Sequence, residues 1–124
     1  MKYQTILLAG AIFMALGVLL GAFGAHALKK ILTPEMLAIY KTGVEYQFYH
    51  SLGLLVVGSI GFHIESKWLS WSGILLIAGI VIFSGSLYAL SISGIKILGA
   101  ITPVGGLSFV AGWICLGIGI AKHR

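Results

Sequence analysis

Aspartate is absent from this sequence, and Glu35, Glu45 and Glu65 are its only acids. Every mechanism built on an Asp is therefore excluded, Ser-His-Asp triads and Asp-held magnesium sites among them. Cysteine is limited to Cys115, which permits neither an intramolecular disulfide nor a Cys-rich zinc site. Set in an apolar run, it reads as an inert small core residue. Charge is scarce as well: Asp, Glu, Lys and Arg make up 9% of the chain, against ~25% in an ordinary soluble domain. With 59% hydrophobic residues and a mean hydropathy of +1.07, 124 residues have too little polar surface to cover a soluble body. The eighteen glycines follow no three-residue period, so collagen-like structure is excluded along with disorder. The eight Lys and Arg that give a net charge of +5 are scattered between apolar runs. Without a basic stripe, nucleic acid is not an expected partner. Short basic loops beside apolar segments suit anionic lipid headgroups instead.

Long uncharged runs fill the space that charge leaves. A membrane-spanning helix needs ~20 mostly apolar residues. Ile6 to Ala25 and Leu69 to Leu90 meet that length, as does a last run from Ile97 or Pro103 to Ala121. Phe48 to Phe62 is short, at about fifteen residues or ~22 Å. It reaches full length only by starting near Val44, which draws Glu45, Gln47 and His50 toward the membrane interface. The expected architecture is an all-α membrane protein with four transmembrane helices, about residues 5–27, 44–62, 68–90 and 98–121, in a single integral domain over 1–124. Lys2 and the small residues around His26 imitate a signal peptide, but the apolar run exceeds the usual ~7–15 residues and is expected to stay as span one.

Between the first two spans, Thr33-Pro34 reads as an N-cap followed by proline at the first helical position. Met36, Leu37, Tyr40 and Val44 then share one side, and Ala38, Lys41, Thr42 and Glu45 the other. That spacing predicts a short amphipathic interfacial helix running into span two. Pro103 either starts the last helix, the favoured placement, or kinks one begun near Ile97. Four spans put both termini on one side. Lys2, Lys67, Lys122 and Arg124 balance Lys29, Lys30, Lys41 and Lys96, so basic residues set no orientation.

Small residues recur in phase. Gly17, Gly21 and Ala25 step by four in span one, and Gly105, Gly112 and Gly119 step by seven in span four with Ser108 on the same face. Such stripes let helices pack closely in lipid, against other spans or a second copy of the chain. Tyr3, Trp68 and Trp71 read as an aromatic belt on the terminal side.

Polar side chains collect in the opposite leaflet. His26 ends span one; Glu45, Gln47, Tyr49 and His50 begin span two; Ser84, Ser86 and Tyr88 end span three; Thr102 begins span four. A polar group within the bilayer tends to face the bundle interior or a wet cavity. His26, Glu45, Gln47, Tyr49, His50, Ser84, Tyr88 and Thr102 are thus the candidate ligand-binding residues, and Gly17, Gly21, Gly105 and Gly112 the candidate packing residues. Plainer roles are open to several of them: Glu45 pairing with Lys41, His50 bonding Tyr88 or Ser84, and Gln47 joining helices. No H-E-x-x-H or other local ligand spacing appears, so no metal and no cofactor is expected.

Four segments together resemble a known family. Gly21-Ala22-Phe23-Gly24-Ala25-His26, Tyr46-Gln47-Phe48-Tyr49-His50, Phe83-Ser84-Gly85-Ser86-Leu87-Tyr88 and Gly99-Ala100-Ile101-Thr102-Pro103-Val104-Gly105-Gly106 are similar to the motifs of bacterial membrane family 423 of the domain-of-unknown-function series, the YgdD and YwdK type. A small eukaryotic transmembrane family is similar too. The resemblance implies a small multi-pass protein of the bacterial cytoplasmic membrane and supplies no activity, substrate or catalytic residue. The function expected is non-enzymatic: binding a lipid headgroup, a small anion or a partner subunit through the polar leaflet. The alternative is an oligomeric transporter or channel for ions or small solutes, motivated by Glu45 and His50 near the membrane. A membrane enzyme would have His26, Glu45 and His50 as its acid–base groups. Expected partners are the bilayer, anionic lipid and further copies of the chain.

Overall fold

The computed structural model describes residues 2–123. Helix α1 (Tyr3–His26) leads through a 3₁₀ turn (Leu28–Lys30) into α2 (Pro34–Gly61). Then α3 (Lys67–Gly79), a π-helical segment (Ile80–Ser84) and α4 (Gly85–Ser93) form one continuous rod. A second 3₁₀ turn (Lys96–Ala100) precedes α5 (Thr102–Lys122). The described residues contain no strand.

Local chemistry sets these boundaries. Thr33 accepts a hydrogen bond from the Met36 N–H at 3.2 Å, and Pro34 opens α2 where its missing N–H is harmless. Ser66 caps α3 through the Trp68 N–H at 3.2 Å. Gly94, at φ 74°, closes α4 in the left-handed conformation that glycine adopts freely. Pro103 stands in the first turn of α5, separate from the preceding 3₁₀ turn, so it starts the helix and does not kink it.

Among the described residues, three stretches are long and apolar enough to cross a membrane: Tyr3–Lys30, Lys67–Ser93 and Lys96–Lys122. At 28 residues, ~42 Å, α2 has ample length. It is less apolar because Glu35, Lys41, Glu45, Gln47 and His50 all lie on it. The amphipathic helix expected to run into span two joins it without a break. Pro34 to Val44 is the first part of an unbroken α2, and its apolar side is already covered by protein. Tyr40 and Val44 are buried with Leu28, against Leu20, Leu32 and Leu37.

Exposed apolar side chains line the outside: Leu8, Ile12 and Leu19 on α1, Leu52 and Val56 on α2, Leu107 and Ile114 on α5. Water would penalise so extensive an apolar coat, whereas acyl chains accept it. Inside, α1 packs on α2, α2 on the α3–α4 rod, and that rod on α5. Ile6, Leu54, Leu69, Leu76 and Phe109 form the main core.

Glycine ladders seal both outer helices. On α5, a Cβ added at Gly105, Gly112 or Gly119 would lie 2.4 Å from the Phe83 backbone N, 2.9 Å from Leu76 and 2.4 Å from Leu69 respectively. On α1, a Cβ at Gly10, Gly17 or Gly24 would lie 3.1 Å from the Leu54 Cβ, 3.1 Å from Phe48 and 2.2 Å from the Tyr40 ring. Glycines and the side chains they receive both step by about seven, the repeat of antiparallel knobs-into-holes packing. The α1 stripe therefore differs in phase from the expected Gly17-Gly21-Ala25. Gly21 sits on its flank, 3.3 Å by the same measure from Val44, and Ala25 is exposed. The partner residues on α2 impose the seven-residue step.

Candidate functional site

Gln47 is the hub of the polar leaflet. It is 3% exposed; its Nε2 donates to the Phe13 carbonyl of α1 at 2.7 Å, and its Oε1 accepts from the Tyr88 hydroxyl of α4 at 2.5 Å. One carboxamide thus ties three helices. Next to it, the Ser84 hydroxyl donates to the Gly43 carbonyl at 2.7 Å, joining the π-helical segment to α2. Ser86 and Thr102 share a hydrogen bond of 2.6 Å that links α4 to the start of α5. Each bond satisfies a polar group that lipid could not.

His50 is buried too, but its partners are neither Tyr88 nor Ser84. Its Nδ1 lies 2.7 Å from the Tyr46 carbonyl one turn back, which requires the proton on Nδ1. The ring stacks on Phe109 with centroids 3.5 Å apart. The sequence puts Tyr46 and His50 on one face of α2 without indicating that α5 supplies the aromatic wall.

The remaining candidates lie outside this network. His26 is exposed in the last turn of α1. Tyr49 is exposed on α2, edge-on to Tyr46. Glu45 is exposed and lines a cavity of about 300 Å³ between the end of α1 and the beginning of α2. The α1 wall is Gly21, Gly24 and Ala25; Tyr40, Lys41, Thr42, Val44 and Phe48 join Glu45 on the α2 side. The eight ligand candidates thus divide into an interior lock (Gln47, Ser84, Tyr88, Thr102), a stacked histidine, and three outward groups.

Several contacts of residues named from the sequence escaped that reading. Tyr40 donates its hydroxyl to the Leu20 carbonyl at 2.5 Å, and Ser108 bonds the Leu75 carbonyl at 2.6 Å. Tyr3 does more than stand in an aromatic belt. Its hydroxyl donates to the Ser66 carbonyl at 3.0 Å and accepts from the Ser66 N–H at 2.9 Å, pinning the chain start to the α2–α3 loop. Lys41 and Glu45 line the cavity together, and among the described residues they do not form the ion pair that the sequence left open. Among the described residues no group of three or more His, Cys, Asp or Glu could hold a metal ion.

Comparison with known proteins places this arrangement in context. Residues 20–106 match the family model described as "Protein of unknown function (DUF423)". A UPF0382 membrane protein of Staphylococcus haemolyticus is 46% identical, over 96% of this chain and 97% of its own. The UPF0382 membrane protein YwdK of Bacillus subtilis is 44% identical, over 97% and 98%. The UPF0382 inner membrane protein YgdD of Escherichia coli (strain K12) is 40% identical, over 94% and 86%. No solved structure matches. The all-helical bundle, its three strongly apolar helices and these near-full-length identities agree that the chain is a membrane protein belonging to the DUF423 family.

Proposed function

We propose that this protein crosses the bacterial cytoplasmic membrane four times as one integral domain, with both termini on the same side, and acts by binding rather than by catalysis. Support for the fourth crossing comes from α2's pairing with α1. The contacts run from Tyr3 against Gly61 to Gly24 against Tyr40, so α2 accompanies α1 through the same depth. The polar beginning of α2 is tolerated there because Gln47 and His50 are buried in protein.

The cavity between α1 and α2 carries the binding reading. Gln47, Ser84, Ser86, Tyr88 and Thr102 spend hydrogen bonds on one another and on the backbone, and so join helices. Lys41 and Glu45 instead face a cavity at the low end of the size range of ligand pockets. Of the classes considered, lipid headgroup, small anion or partner subunit, the lipid headgroup fits a cavity at this depth best. Native mass spectrometry of detergent-purified protein tests the reading. The expected result is a lipid adduct that survives delipidation and is lost in Ala25→Leu, which extends a side chain into the cavity. Equal adducts in both proteins would reject it.

A further inference from the structure

We infer that two copies of this chain pair in the membrane across the α2–α5 face, the Tyr49 hydroxyl of each donating to the His50 Nε2 of the other. The inference rests on the four-span placement above and is independent of the α1–α2 cavity.

His50 lacks one partner. Its Nδ1 proton is committed to the Tyr46 carbonyl, so Nε2 carries a lone pair and can only accept. No described residue donates to it. It is not sealed in either. The residue is 6% exposed, and among the described residues only the Ser72 hydroxyl is a fully buried side-chain polar atom without a partner, so Nε2 opens on the surface. Tyr49 is the complementary case. It is 54% exposed, its ring is held edge-on by Tyr46, and its hydroxyl bonds to no described residue.

Depth removes water and headgroups as partners for these two groups. Lys41 and Gly61 lie ~30 Å apart along α2, the thickness of the hydrocarbon core. Tyr49 and His50 lie ~12 and ~13 Å below Lys41, further than either side chain reaches back. An interfacial aromatic belt therefore does not account for Tyr49. Acyl chains offer neither donor nor acceptor, and a polar group left unpaired among them is costly.

Symmetry supplies the match. Two copies inserted alike form a closed pair about an axis along the membrane normal, and residue i then meets j while j meets i. Such an axis sets each residue against others of its own depth. Tyr49 and His50 share one depth, so each copy presents what the other lacks, twice over. The acceptor site on His50 is complete only with the partner subunit's Tyr49.

The surface beside this pair has room for a second copy. Phe109 stacks on His50, and the Trp113 ring covers Gly53 with its centroid 5.8 Å from that of His50. Gly106, Trp113 and Gly117 follow one another on the same side of α5 at helical spacing. A Cβ at Gly117 would meet nothing within 4 Å, and one at Gly106 only the Phe83 ring at 3.8 Å. The ladder glycines of α5 are filled by the rod, whereas these two are open to the close approach of another helix.

The test is single-molecule photobleaching of fluorescently labelled full-length protein in lipid vesicles at increasing protein density. Dimers should form. Tyr49→Phe, which keeps the ring and removes two symmetric bonds, should raise the dissociation constant about ten-fold. Gly117→Leu should raise it further, and Leu19→Ala on the outward face of α1 should leave it unchanged. An unchanged constant in both Tyr49→Phe and Gly117→Leu would overturn the interface. Monomers that retain a small molecule lost in Tyr49→Phe would assign the face to a ligand and overturn the second copy. In a Cys115→Ala background, Tyr49→Cys at monomeric density should resist a water-soluble maleimide. Monomers at every density with that cysteine protected would overturn the dimer and leave the four-span placement standing; rapid labelling would overturn both.

Discussion

The α1–α2 pair and the α3–α5 pair share a seven-residue glycine ladder, and they differ in what fills the rungs. Against α5 the rungs are Leu69 and Leu76 of α3 and Phe83 of the π-helical segment that continues it, and at Gly105 the opposing backbone itself closes the gap. Between α1 and α2 they are Leu54, Phe48 and Tyr40, with Gln47 beside Phe48. Ser108 anchors the α5 ladder through the Leu75 carbonyl, and the α1–α2 ladder has two anchors: the Gln47 carboxamide holds the Phe13 carbonyl, and the Tyr40 hydroxyl, itself a rung, holds the Leu20 carbonyl. Beside its last rung lies the cavity with Lys41 and Glu45. Apolar knobs meeting backbone leave little room for anything else. An aromatic knob held by its polar end, as Tyr40 is by its hydroxyl, can keep two helices together while a space stays open beside it. The α3–α5 pair is thus suited to holding the fold, and the α1–α2 pair leaves the open space that the proposed ligand would use.

Substitutions can break each ladder. The largest effect is expected at Gly105→Leu, where the neighbour is the Phe83 backbone and cannot rotate away. A loss of about 3 kcal/mol or more should appear as a large fall in thermal stability in detergent. Wild-type melting would show that the α3–α5 ladder is not tight. Gly24→Ala comes next. Its Cβ would meet the Tyr40 ring at 2.2 Å, but a side chain can yield where backbone cannot, so about 1–3 kcal/mol is expected by the same assay. A larger loss than at Gly105 would reverse the ranking. Gln47→Leu removes two interhelical bonds and strands the Tyr88 hydroxyl, which should cost about 1–2 kcal/mol. Unchanged stability would show the hub to be idle. The smallest change concerns Ser72, whose hydroxyl is buried on α3 with no hydrogen-bond partner among the described residues. Ser72→Ala should be neutral or stabilising by up to ~1 kcal/mol. A clear loss would reveal a partner for that hydroxyl.

Part of this was legible in the residues alone. Helical class and the three most apolar runs follow from hydropathy and length, because lipid requires the backbone to satisfy itself. Thr33-Pro34 and Pro103 mark helix starts through their own chemistry. The phase of the α1 ladder was not legible. Gly17 belongs both to a four-residue series with Gly21 and to a seven-residue series with Gly10 and Gly24, and only the spacing of Leu54, Phe48 and Tyr40 on α2 selects the second. Partners of the polar residues were hidden for a related reason. Helical spacing puts Gln47 and His50 near one face, but which neighbour each meets depends on how far Tyr88 reaches and where α5 sets Phe109. The cavity is harder still to foresee, since its α1 side is made mainly by the absence of side chains at Gly21 and Gly24.

The most direct test of the four-span account is the solvent accessibility of α2's outward face. Leu52 is 53% exposed on that face, level with the buried core residues Leu54 and Ser51. In a Cys115→Ala background, Leu52→Cys in membrane vesicles should stay unmodified by a water-soluble, membrane-impermeant maleimide, both before and after the vesicles are opened, because acyl chains cover it. Lys41→Cys and Glu65→Cys should each be modified, from opposite sides of the membrane. Rapid labelling of Leu52→Cys from water would contradict a membrane-embedded α2, and with it the four-span bundle.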